Sequence, residues 1–310
     1  MNISKSLVLA SMVASLAVAV AAQSASSSIA NLSSLGSVGQ NAGNLIAAFV
    51  IEGTAPKHVL VRGTGPGLAA FGDANPASAV GVNIYDGSGN LVASNSGFQN
   101  DPNFMATEQT AAQLGAFPLG DPNDSEVLVS LAPGSYSIEI APNASDAPDG
   151  DALLEVYDAD ASGSGSIIAN LSTRGQVGAA AGSLITGFVV SGPAPKNVLV
   201  RGIGPDLAGF GVANPAAAVD INVYDANGNL VATNSGFQND PNAAAITQLW
   251  SAVGAFPMTA PGNSELLLNL APGNYTVVVI PTNADSPDGV GMVEVYDADA
   301  AVAAAAPNGN

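Results

Sequence analysis

The chain has 310 residues, no cysteine, 6 Lys+Arg against 25 Asp+Glu and a formal net charge of −19; 47% of it is apolar and 10% charged. The missing cysteine excludes disulfides, a lipid anchor on cysteine, thiolate metal sites and cysteine nucleophiles, and so much apolar sequence excludes a disordered chain. A surface this acidic repels nucleic acid and anionic lipid and suits cations, calcium above all.

Residues 1–22 read as a secretory signal peptide. Lys5 supplies the basic start, an uncharged apolar run extends from Leu7 to Val20, and the small residues of "AVAAQS" offer cleavage after Ala21 or Ala22. The alternative, a membrane anchor, needs about 20 apolar residues and firmer flanks. Every later apolar run is broken by Gly, Pro, Asn or Asp. The mature chain is therefore expected to be secreted or held at the cell surface, with no transmembrane segment.

Shifted by 139 positions, the sequence lies on itself without a gap, and 76 of the 130 positions in 31–160 are identical. That identity marks a tandem duplication. Each unit has the length of an ordinary domain rather than the roughly 20–50 residues of a solenoid repeat. The expected organisation is a signal peptide (1–22), repeat 1 (29–160), a flexible Gly/Ser linker carrying "ASGSGS" (161–167), repeat 2 (168–299) and a flexible tail (300–310). Whether the two units pack or swing on the joint is left open by the sequence.

Within repeat 1, β-rich runs fall at Leu45–Ile51, His58–Val61, Val80–Tyr85, Asn90–Ser94, Glu126–Leu131, Tyr136–Ile140 and Leu153–Tyr157. Turn residues separate them, in "DGSGN", "APGS" and "APDGD". "IYDGSGNLVAS" predicts a hairpin, and Ala106–Leu114 is the one helical stretch. Short strands at this spacing predict an all-β chain of two tandem antiparallel β-sandwich (jelly-roll-like) domains.

The first candidate site is the doubled "VRGTGP" and "VRGIGP", at Arg62-Gly63-Thr64-Gly65 and Arg201-Gly202-Ile203-Gly204. It lacks the third glycine of a dinucleotide loop, where Leu68 and Leu207 stand, and the Lys-Ser/Thr of a P-loop. Arg62 and Arg201 are therefore expected to be structural, each pairing with a carboxylate or backbone carbonyls of its own unit. Gly63, Gly65, Gly202 and Gly204 turn the chain at the strand end. His58 has Asn197 as its twin, so a histidine-based site is not duplicated with the repeat. The duplicated glutamates Glu126/Glu265 and Glu155/Glu294 leave a glycosidase to be weighed, which needs two carboxyls within about 10 Å in one cleft.

Acidic turns are candidates for structural calcium, at Asp101, Asp149, Asp240 and Asp288. The alternative is ordinary turn chemistry, in which Asp hydrogen-bonds its own backbone. Trp250 has Ala111 as its twin, and the duplicated Phe71, Phe98, Phe117 and Tyr85 read as core or loop-pinning residues.

The string "NLSTRGQVG", then "PKNVLVRGIGP", "LAPGNYTVVV" and "EVYDAD" in repeat 2 resembles an exported repeat module found in large secreted and surface proteins of environmental bacteria, including verrucomicrobia-like ones. The resemblance covers nearly all of both repeats. The paired "LAPGxY…EVYD" end is also similar, more weakly, to the β-sandwich of pre-peptidase C-terminal domains. Repeat 1 departs at "NLSSLGSVG", where Leu35 stands for Arg174, so a role for that arginine does not extend to repeat 1. The resemblance implies an accessory surface domain without catalytic residues.

The expected function is that of a non-enzymatic structural or adhesive protein of the bacterial surface or matrix, self-associating through poorly protected strand edges. The first alternative is a polysaccharide-binding module assisted by calcium. The second is a glutamate-dependent glycoside hydrolase. The partners expected are further copies of the chain or a cell-surface polysaccharide, and no nucleic acid.

Overall fold

The computed structural model describes residues 27–160 and 165–305. The signal peptide expected at 1–22 and the first four residues of the linker lie outside the described residues. Repeat 1 contributes β1 (Ser28–Val38), β2 (Leu45–Gly53), β3 (Lys57–Thr64), β4 (Val80–Asp86), β5 (Leu91–Ser96), β6 (Ser125–Leu131), β7 (Gly134–Pro142) and β8 (Gly150–Asp158). Repeat 2 contributes β9 (Ser166–Val177), β10 (Leu184–Ser191), β11 (Lys196–Ile203), β12 (Val219–Asp225), β13 (Leu230–Ser235), β14 (Ser264–Leu270), β15 (Gly273–Pro281) and β16 (Gly289–Asp297). The helices are α1 (Phe104–Gln113), α2 (Ala243–Leu249) and α3 (Asp299–Ala305).

The strands form two eight-stranded sheets, with every neighbouring pair antiparallel. The first runs β13-β12-β15-β10-β1-β8-β3-β6 and the second β14-β11-β16-β9-β2-β7-β4-β5. Each sheet takes four strands from each repeat. The seams lie where β1 pairs β10 (Leu32↔Phe188, Leu35↔Ile185) and where β2 pairs β9 (Phe49↔Leu171, Ile46↔Arg174). These two pairings are related by the 139-residue shift, so the repeats meet about a pseudo-two-fold axis.

One apolar core runs through both repeats, from Val59, Val82 and Ile138 at one end, through Leu32, Leu45, Leu171 and Leu184, to Val200, Ile221 and Val277 at the other. At the axis Leu45 and Leu184 reach across Gly36 and Gly175, and a methyl group built on either glycine would lie 2.9 or 3.0 Å from the nearer leucine. The repeats therefore pack edge to edge rather than sit apart on a linker. β9 already begins at Ser166, inside the expected linker, because Ser166 pairs with Gly53.

Alternation explains the half-covered strands. In β2, Leu45, Ala47, Phe49 and Ile51 turn inward and the intervening residues outward. β3 and β11 are buried on both faces instead. Their outer face is covered by a short 3-10 turn after the strand (Pro66–Phe71 and Pro205–Phe210) and by the α1 or α2 region. In repeat 2 this cap encloses a second small core of Leu199, Leu207, Phe237, Ile246, Trp250 and Tyr296.

The tail expected to be flexible opens as helix α3, with Ala301 buried. Its first residue, Asp299, is fixed by Lys196 Nζ at 2.8 Å and by the Asn197 amide at 2.7 Å, and alanine favours the helix that follows.

The outer strands β5, β6, β13 and β14 each pair on one side only. β5 and β13 read "LVASNS" and "LVATNS", without a charge, and leave Leu91, Val92, Leu230 and Val231 exposed.

Candidate functional site

Cross-strand register builds the most buried polar centre. Arg62 on β3 stands opposite Glu126 on β6 and Glu155 on β8, all facing the cap; Arg201, Glu265 and Glu294 repeat the row. Arg62 lies 2.9 Å from Glu155 and 3.7 Å from Glu126, and its Nη2 donates to the Phe117 carbonyl. Arg201 lies 3.1 Å from Glu294, donates to the Phe256 carbonyl at 2.7 Å, and stacks on the rings of Phe256 and Trp250. Both arginines are fully enclosed, and Tyr157 and Tyr296 donate to the outer oxygens of Glu155 and Glu294. The duplicated glutamates thus bracket a guanidinium in the interior instead of facing a cleft. Trp250, whose twin is Ala111, donates its indole N–H to Glu265 at 2.8 Å.

Burial is the main cause that pushes Glu126 and Glu265 up to about 7. Glu108, on α1, adds to the rise at Glu126, and Arg62 and Arg201 oppose it. The folded-state values exceed the ordinary carboxylate value, so the native state holds these protons more tightly than the unfolded chain. The contribution is complete below about pH 4.5 and is lost as pH rises through 7. Stability is expected to fall between pH 5 and 8, by about 3 kcal/mol for each of these two glutamates. Urea midpoints at four pH values would measure the slope, and the E126Q/E265Q double variant should flatten it. The carboxylates that hydrogen bonds hold low, Asp149 and Asp86 among them, act only below that window.

Gly63 and Gly202, expected to turn the chain, stay inside β3 and β11, paired with Ser125 and Ser264, because they pack against the opposite sheet. The chain turns only at Gly65 and Gly204. A Cβ on Gly63 would meet Ile140 at 2.9 Å, and one on Gly65 the Ala77 carbonyl at 2.8 Å. At Gly202 and Gly204 the distances are 2.5 Å to Ile221 and 2.7 Å to the Ala216 carbonyl. The Asp124 carboxylate accepts the amides of Gly65 and Gly67, and Asn263 accepts that of Gly204. The amides a phosphate would use are therefore already engaged.

The acidic-turn residues lie apart. Asp149 accepts the amides of Asn41 and Ala42, and Asp288 those of Ala180 and Ala181. Asp101 and Asp240 accept the amides of Asn103 and Asn242, two residues on. Among the described residues no group of three or more His, Asp or Glu side chains is placed to hold a metal ion.

A site that the sequence reading did not single out opens at one seam. A cleft of ≈ 330 Å³ is lined by Asn44 and Ile46 of repeat 1 and by Arg174, Gln176, Phe210 and Val290 of repeat 2, with their neighbours. Arg174 stands between Ile46 on β2 and Met292 on β16, on the outer face. Lys57 and Lys196 are buried against Asp158 and Asp297, and Arg62 and Arg201 against glutamates. Among the described lysines and arginines, Arg174 is the one without an ion pair. Phe210 is 62% exposed at the rim, although its twin Phe71 read as a pinning residue.

No protein-family model and no curated protein matches the chain. Among solved structures, a DUF4785 family protein of Legionella pneumophila is 10% identical, covers 86% of this chain and 61% of its own, and has a TM-score of 0.27. The tandem CBM51 modules of a family 98 glycoside hydrolase from Streptococcus pneumoniae are 6% identical, with 80% of each chain covered and a TM-score of 0.23. A fucose-binding module of S. pneumoniae is 13% identical over 40% of this chain and 71% of its own, at a TM-score of 0.19. Scores this low carry no argument about this chain.

Proposed function

We propose that this is an exported, non-enzymatic structural or adhesive protein whose copies join through the open strand edges at the two ends of the double sandwich. The observation that carries the reading is the pair β5 and β13. Both are outermost, both are uncharged, and both expose a Leu-Val pair on a strand with no partner on its outer side. Native edges are usually blunted with lysine, proline or a covering loop. Here the two repeats already join edge to edge within one chain, so the same kind of pairing between chains would extend both sheets. Export rests on the leader-like sequence of residues 1–22.

Light scattering behind size-exclusion chromatography tests this on the protein lacking residues 1–22. Assemblies larger than one chain are expected, and they should survive EGTA. The V92K/V231K variant, which places a charge on each edge, should run as a single chain. A wild-type protein that is already monomeric would sink the proposal, and assemblies lost in EGTA would move the junction to calcium.

A second reading, polysaccharide binding, is favoured by one observation: the exposed ring of Phe210 and the unpaired guanidinium of Arg174 line the same seam cleft.

A further inference from the structure

We infer that the seam cleft is an anion-reading saccharide site, in which Arg174 takes the carboxylate of a uronate residue and Phe210 the face of its ring. The inference rests on the polysaccharide-binding reading and deepens it by naming the class of sugar. The first support is the economy of positive charge. The chain carries 25 acidic residues against 6 basic ones. Within the described residues four of those basic side chains are buried on carboxylates, and Arg174 alone is left for something outside the fold. A guanidinium presents a planar fork of donors that matches a carboxylate with two parallel hydrogen bonds.

The second support is the pseudo-symmetry. The equivalent place at the other seam carries Leu35, Asp73 and Asp151 where this one carries Arg174, Val212 and Val290. There Leu35 packs on Leu68 and Leu153, while Asp151 accepts a hydrogen bond from Ser37 and is pushed up by burial and by the nearby Asp73. Three substitutions within one duplicated frame have exchanged two carboxylates and no cation for one guanidinium and no carboxylate. A change confined to packing has no need to reverse the charge. The carboxylate facing Arg174 along the strand row is Glu139, opposite Ile46 on β7 and thus two strands away, roughly 10 Å. It is engaged by Asn44 and by the Tyr85 hydroxyl.

The third support is the shape of the rim. Phe210 packs edge-on against Phe256, with ring centroids 4.7 Å apart, which fixes its plane while most of its surface stays open. Aromatic faces of this kind receive the C–H face of a pyranose, and Gln176 supplies an amide in the same cleft.

The test is an array carrying uronate oligosaccharides, oligogalacturonate and oligoglucuronate, beside their methyl-esterified neutral counterparts, probed with the protein lacking residues 1–22. Uronate binding is expected, weakened about tenfold or more by esterification, by R174L and by 1 M salt. Leucine is the residue repeat 1 already carries at that position, so R174L should fold, and an unchanged urea midpoint would verify it. F210A should weaken both charged and neutral binding. Equal binding of esters and acids, or no effect of R174L, overturns the anion assignment while leaving saccharide binding standing. No binding to any arm overturns both.

Discussion

Replacing Arg201 with methionine is expected to lower the unfolding free energy by about 3–5 kcal/mol at pH 8, with a similar loss for Arg62→Met. Methionine keeps most of the apolar volume against Phe256 and Trp250, so little of the effect would be a cavity. What remains is Glu294, buried and 3.1 Å from a charge that has gone, with Glu265 on the far side of β11. An ion pair of this kind need not be stabilising as a whole, because both charges lost their water on folding, whereas breaking one side leaves an uncompensated carboxylate.

Two consequences separate this from a packing defect. The loss should shrink at pH 5, because the glutamates of the row are held above their ordinary value and take up protons there. Adding E294L to R201M should recover most of the stability. Urea melts of the three proteins at pH 5 and pH 8 check both. A loss below about 1 kcal/mol at pH 8 would mean that solvent or a neighbouring group reaches Glu294 after all.

A chain carrying residues 27–160 alone is expected to form a two-fold dimer that rebuilds both eight-stranded sheets. In the full protein β1 pairs β10, and β10 is the twin of β2; β9, the twin of β1, pairs β2. Each repeat therefore offers the other the same two edges that it receives, which is the self-complementarity of an isologous two-fold interface. The leucine-over-glycine contact at the axis is also nearly symmetric, Leu45 on Gly36 against Leu184 on Gly175. With V92K blocking the outer β5 edge, light scattering should give twice the mass of the single repeat, and small-angle scattering should give the envelope of the full chain. A folded monomer would show that the exposed edges of β1 and β2 need no partner. The seam cleft would change in such a dimer, because both copies would carry Leu35 and Asp73 in place of Arg174 and Val212.

Local pattern made much of this legible. The seven β-rich runs of repeat 1 all fall within observed strands except at Asn90, one residue ahead of β5. The short helix sits at Phe104–Gln113 against the expected Ala106–Leu114. These elements are written in near-neighbour sequence, as alternating apolar residues and as Gly, Pro and Asp at the turns, so they can be read without knowing what they touch. β1 could not be read that way. "SIANLSSLGSV" is rich in serine and has little β preference of its own. It is a strand because β8 and β10 supply hydrogen-bond partners on both sides while Ile29 and Leu32 enter the core.

By itself, then, the sequence determined that the chain is all-β, antiparallel and duplicated. All three follow from periodicity, from turn residues and from a shift of the string along itself. Only the tertiary structure decided that the repeats share two sheets, that Glu126 and Glu155 close on Arg62 inside the protein, and that Arg174 and Phe210 face one open cleft with Asn44 of the other repeat. Each of these depends on pairing between strands that are far apart in the chain. The string already shows leucine at 35 and arginine at 174, but only the pairing of distant strands shows that Leu35 packs on Leu68 and Leu153 while Arg174 lines an open cleft.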